Sequence, residues 1–92
     1  MSNSFPTSLQ LKIITPRKLE VDQEVKSVVL PSTEGYIQIL PGHRPLTVAL
    51  GQGLISYSLG QRENKLAVEG GLANVQAERI TVFTQLIPAQ EK

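Results

Sequence analysis

The chain has no cysteine, one histidine (His43), one aspartate (Asp22), and only two Tyr and two Phe among 92 residues. The missing cysteines exclude a disulfide framework and any thiolate metal site, so a domain this small must rely on its core and on partner subunits. A zinc site draws on about four N or S ligands; one imidazole cannot supply it, and no metal or cofactor is expected. A Ser-His-Asp nucleophilic centre would have to recruit both unique residues, and nothing in the spacing of Asp22 and His43 joins them. No catalytic residue is therefore assigned. Lys12, Arg17, Lys18 and Lys26 could form a basic edge, but single-strand nucleic-acid binding also uses aromatic platforms, which are too few here. Lysines at sheet edges have an ordinary role in preventing edge-to-edge association. The start, Met1-Ser2-Asn3-Ser4-Phe5-Pro6, lacks the basic and apolar blocks of a signal peptide, and no later run approaches the length of a spanning helix. A soluble chain without direct membrane insertion is expected.

What is present is a rhythm of short strands. Hydrophobic residues make up 40%, charged residues 18%, and the net charge is +1, which is the balance of a globular domain and not of a disordered chain. Leu9, Leu11 and Ile13 alternate with Gln10 and Lys12, the period-two mark of a strand with one buried face. Further strands are expected at Leu19 to Val21, Val25 to Leu30, Tyr36 to Leu40, Leu46 to Leu50, Leu54 to Leu59, Leu66 to Glu69 and Arg79 to Thr84. No segment holds helical periodicity for three turns. The chain reads as one all-β domain over residues 1–92, a sandwich or barrel, with loose termini at about 1–8 and 87–92.

The connections carry the remaining information. Gly51-Gln52-Gly53 lacks the third glycine and the following helix of a phosphate loop, and reads as a turn. Gly70-Gly71 at a strand end reads as a bulge or a close approach of two backbones. Glu20, Asp22 and Glu24 alternate along an extended segment and read as a solvated face. Pro41-Gly42-His43-Arg44-Pro45 is a turn in which Gly42 is expected at positive φ and His43 has a structural or contact role. Tyr36 and Ile37 follow a Glu34-Gly35 turn, and strand alternation places them on opposite faces, so at most one is buried in a one-sided core and the other is a candidate contact. On residues alone, a stand-alone β-barrel module binding nucleic acid or a small ligand remains an alternative to a connector between proteins.

Five segments, in order, bear a resemblance: Ile14-Thr15-Pro16; Glu34-Gly35; Leu40-Pro41-Gly42-His43-Arg44-Pro45-Leu46; Gly53-Leu54-Ile55; and Glu69-Gly70-Gly71-Leu72-Ala73-Asn74-Val75 running to Arg79-Ile80-Thr81-Val82-Phe83. Together they resemble the N-terminal domain of the epsilon subunit of rotary F-type ATP synthases. The resemblance implies a flattened ten-stranded β-sandwich, a non-catalytic rotor component on the central stalk. Its implied partners are the gamma subunit and the c-ring, with ion-driven rotation coupled to ATP synthesis at the cytoplasmic face of a bacterial membrane. It implies ring contact through Glu34, Gly35, Tyr36 and Ile37, and gamma contact through Thr15, Gly42, His43, Arg44 and Val48. Gln38 stands where most members have Gly. The chain ends at Lys92 where typical members continue into a helical hairpin, so a short form without hairpin-based inhibition of hydrolysis is expected.

Overall fold

The computed structural model describes residues 6–87. Seven strands form: β1 (Leu9–Ile14), β2 (Leu19–Val25), β3 (Ser27–Ser32), β4 (Gly35–Ile39), β5 (Leu46–Leu59), β6 (Arg62–Val75) and β7 (Arg79–Leu86). They make one hydrogen-bonded sheet in the order β2-β1-β7-β6-β5-β3-β4, and no helix occurs among the described residues. The all-β expectation holds. The strand number is seven instead of ten, because β5 and β6 are each 14 residues long and serve both layers.

That dual service is visible in the pairing. Leu46↔Val75 through Leu50↔Gly71 lie on the side of β7, β1 and β2, whereas Gln52↔Glu69 through Leu59↔Arg62 lie on the side of β3 and β4. The two long strands bend together at Gly51–Gly53 and Gly70–Gly71, folding the sheet over its own apolar face. Gly51-Gln52-Gly53 is thus a corner inside a continuous strand, not the turn its composition suggests. Glycine permits the bend because it has no Cβ to obstruct neighbouring backbone. Leu66 to Glu69 extends in the same way to a full strand, closed onto β5 by a Gly60-Gln61 turn with Gly60 at φ +71°.

The glycine pair in β6 is a bulge, as expected, and also a close approach. The β6–β7 register shifts between Val68 and Gly71, and Gly71 has φ +119°. A Cβ there would overlap the Phe83 carbonyl oxygen and come within 2.9 Å of the Thr84 Cα. The Thr84 hydroxyl, buried on β7, donates to the Gly70 carbonyl and pins the bulge from the other side.

The core follows the alternation. Leu9, Leu11 and Ile13 of β1, Val28 and Leu30 of β3, Ile55 of β5, Val68 of β6, and Ile80 and Val82 of β7 are fully buried. Each such side chain removed from water stabilises by about 1.5–3 kcal/mol before entropy is counted, so the domain is held without cross-links. Asp22 and Glu24 face solvent, and Glu20 is half-buried. β1 pairs in parallel with β7, Gln10 opposite Arg79, which places the first and last strands side by side. Most of the tails expected to be loose, 1–8 and 87–92, fall outside the described residues. Within those residues, the Thr7 carbonyl accepts from Lys26 Nζ, and the Ile87 N–H donates to the Ala67 carbonyl at 3.0 Å.

Candidate contact surfaces at the two ends of the fourth strand

The β3–β4 hairpin closes through Thr33-Glu34, with Ser32 opposite Gly35. The Ser32 hydroxyl donates to the Gly35 carbonyl (2.5 Å) and accepts the Glu34 N–H (3.1 Å), so one short side chain fixes both sides of the tip. Gly35 takes φ +123° with open space around it. Glu34 and Gly35 are exposed at this tip, Tyr36 is 59% exposed, and Ile37 turns inward and packs against the core. Tyr36 and Ile37 therefore divide between faces as alternation requires. Gln38 shares the outward face with Tyr36.

At the other end of β4, Leu40-Pro41-Gly42-His43 forms a turn in which the His43 N–H donates to the Leu40 carbonyl (3.2 Å). Pro41 presets the first central position and Gly42, at φ +89°, supplies the positive dihedral of a type II turn. The Gly42 N–H donates to the Ala77 carbonyl (2.8 Å), tying this turn to the connection between β6 and β7. His43 Nδ1 lies 2.7 Å from the Arg44 carbonyl oxygen, so that nitrogen carries the proton and Nε2 is left to meet a partner. Arg44 is exposed. The five residues of β4 separate the two turns by on the order of 15 Å at about 3.3 Å per residue.

Two of the residues assigned to gamma contact by resemblance have other duties within the chain. Val48 is 6% exposed and belongs to the core, so its side chain faces inward. Thr15 is buried in the β1–β2 turn, where its hydroxyl accepts the Arg17 and Lys18 N–H groups and lies 3.1 Å from Glu20 Oε2. The structure does not bring these two together with His43 into one presented cluster; its bonds make Thr15 the organiser of its own turn. Burial pushes the Tyr57 hydroxyl above the ordinary value of 10.0. Tyr57 lies on the core face of β5, opposite Val28.

Sequence reasoning missed three features. Gly53, Pro31 and Leu54 hold the Tyr36 ring; the hint was a glycine inside a strand, which marks close approach. The second is a row on the outer face, Leu19 opposite Ile14, Ile14 opposite Phe83 and Phe83 opposite Leu72. Leu19, Phe83 and Leu72 are exposed there, beside a groove of about 470 Å³ bordered by Pro16 and the glycine bulge. Only the registers reveal it, since the four residues are scattered along the sequence. The third is the bonding of Thr15 within its turn, for which Thr15-Pro16 was the available signal.

Among the described residues no helix is long and apolar enough to cross a membrane, and no three His, Cys, Asp or Glu side chains gather as a metal site. Comparison with known proteins gives the geometry its context. Residues 8–88 match the family described as ATP synthase, Delta/Epsilon chain, beta-sandwich domain. The chain is 32% identical over 88 residues to an ATP synthase epsilon chain of Solibacter usitatus, covering 96% of this chain and 66% of that protein. It is 42% identical over 74 residues to the epsilon chain of Granulibacter bethesdensis, covering 79% and 55%. Across such curated relatives it spans between 55% and 66% of their length. The fold superposes with a TM-score of 0.83 on a chain of the Euglena gracilis mitochondrial ATP synthase OSCP/F1/c-ring structure, at 18% identity, covering 91% of this chain and 54% of that one. A chain of the Tetrahymena thermophila mitochondrial ATP synthase central stalk/c-ring matches with a TM-score of 0.71 at 12% identity, covering 89% and 66%. With the five motifs, the corner-bent sandwich and a family match across almost every residue, the chain belongs to the beta-sandwich domain family of ATP synthase delta/epsilon chains.

Proposed function

We propose that this domain is a non-catalytic component of the central stalk of an F-type ATP synthase, joining gamma to the c-ring and passing ion-driven rotation towards ATP synthesis. The observation that carries this reading is the placement of two fixed turns at opposite ends of β4 on a packed sandwich. A connector under torque needs two separated contact surfaces and a body that does not deform, and close-packed interiors have low compressibility. The Glu34-Gly35-Tyr36 tip, backed by Ile37, faces the ring. The Gly42-His43-Arg44 turn faces gamma. Val48 supports that side from within the core, whereas Thr15 shapes its own turn at the other end of β1. The relatives are epsilon chains, and the matched structures contain a c-ring and a central stalk, which supports the assignment of partners. Attachment through those partners gives a peripheral position at the cytoplasmic face of a bacterial membrane.

Mixing the chain with purified gamma should give a roughly equimolar complex in size exclusion and native mass measurement; two separate species would refute the reading.

A further inference from the structure

The Tyr36 ring does not project freely from the hairpin tip. β3 and β5 pair at Val29↔Ser56 and next at Ser32↔Leu50, so two intervening residues of β3 face five of β5 and the ladder lapses at the corner. A strand that leaves its partner exposes backbone N–H groups to whatever can accept them. Here the acceptor is a side chain: the Leu54 N–H donates to the Tyr36 hydroxyl at 3.1 Å, across a separation of 18 residues. The ring reaches it by lying over Pro31, its cross-strand neighbour, and over Gly53. A Cβ at Gly53 would stand 2.5 Å from the Tyr36 hydroxyl oxygen and 2.8 Å from the Pro31 Cβ, closer than such atoms can approach. Gly53 therefore makes the space that the ring occupies.

From this arrangement we propose that Tyr36 is a latched contact residue, with Gly53 as the positioning residue that acts through it. The inference rests on the ring-docking reading above and names the chemistry at that site. A phenol hydroxyl accepts and donates at once. Its acceptor side is used by Leu54, and among the described residues no acceptor takes its proton. The hydroxyl oxygen is thus held in place by the Leu54 N–H and keeps a proton to donate, on a side chain that is 59% exposed. The exposed Glu34 carboxylate stands two positions away and disfavours a second anion. The occupant that fits is a neutral acceptor, a backbone or amide carbonyl oxygen on a polar loop of the partner. Holding the donor in place before binding reduces the ordering cost of the contact.

The test uses the full 92-residue chain, purified c-ring in detergent, and gamma as a control partner. Tyr36→Phe keeps the ring and removes the hydroxyl; Gly53→Ala keeps the hydroxyl and displaces it. In the free protein, the Leu54 amide should exchange with solvent at least about tenfold faster in Tyr36→Phe, with the melting temperature little changed. Both variants should bind the c-ring on the order of tenfold more weakly, one buried hydrogen bond's worth at about 1.4 kcal/mol per decade, and bind gamma as the wild type does. If wild type and Tyr36→Phe bind the ring equally, the latch is overturned while ring docking stands. If the wild type does not bind the ring, the docking reading fails and the Leu54 amide decides the latch alone: accelerated exchange in Tyr36→Phe supports it, an unchanged rate overturns it.

Discussion

Substituting Gly71 with alanine should be among the most damaging single-methyl changes available in this domain. The first contribution is conformational, since φ +119° lies where side-chain-bearing residues are strained by about 1–3 kcal/mol. The second is steric: the new methyl overlaps the Phe83 carbonyl oxygen, a backbone atom that cannot swing aside as a side-chain end could. Relieving it means moving β7 away from β6, at the typical overpacking cost of about 1–3 kcal/mol. That movement also stretches the Thr84 hydroxyl's bond to the Gly70 carbonyl, worth about 1 kcal/mol. The sum is about 3–7 kcal/mol, a large share of the roughly 5–14 kcal/mol expected for a chain of this length. At about 4 °C or more per kcal/mol for a domain of this size, the melting temperature should fall by at least about 12 °C. Gly70→Ala is the internal control, because Gly70 is also at positive φ (+74°) but a Cβ there meets nothing within 4 Å. It should lose only about 1–2 kcal/mol. Calorimetry and urea titration on the two variants measure the difference; equal losses would refute the claim that backbone contact, and not dihedral strain alone, fixes this glycine.

Two further outcomes follow from positions described above. Gly42→Ala, at φ +89° in open space, should cost about 1–2 kcal/mol in a melting experiment, and an unchanged curve would show that the turn tolerates a side chain. Burial raises the Tyr57 hydroxyl above 10.0, so the folded state holds its proton where the unfolded state gives it up. Stability from this group is complete below about pH 10 and is lost as pH rises through the raised folded value. Tyr57→Phe should flatten that alkaline loss, and an identical alkaline slope in the variant would refute the assignment.

Local alternation was enough to read β1 and the division of Tyr36 from Ile37, because one face of each strand meets a core and the other meets water. Gly42 was readable because Pro followed by Gly encodes a turn chemically, within four residues. Val48, assigned to a contact by resemblance, lies in the core, because Val48 and Leu50 share the buried face of β5 while Leu46 at the strand start stays exposed. What could not be read locally was continuity. Gly51-Gln52-Gly53 has the composition of a turn, and only pairing with β6 keeps it extended through the bend. The expected strand stops at Leu30, before Pro31; the proline is accommodated within β3 because it falls where the β3–β5 ladder lapses, a bulge position that tolerates a missing N–H. Residues 62–65 lie on the far end of the β5–β6 hairpin and are all exposed, so no apolar period announced them. The Tyr36 latch depends on residues 18 apart meeting at a corner that is itself a product of the fold.

The parallel pairing of β1 with β7 sets an order on folding. Gln10 finds Arg79 only after nearly the whole domain has been made, whereas β5 and β6 close on each other across two residues, Gly60 and Gln61. Loop-closure entropy favours the short hairpin first and leaves the long closure until other contacts have drawn the ends together. During synthesis the β1–β2 hairpin, which precedes the domain's other strands, must therefore wait beside an unfilled place in the sheet until β7 leaves the ribosome. A stalled chain ending before Arg79 would present that open edge of β1, with Leu9, Leu11 and Ile13 uncovered, as its most aggregation-prone surface.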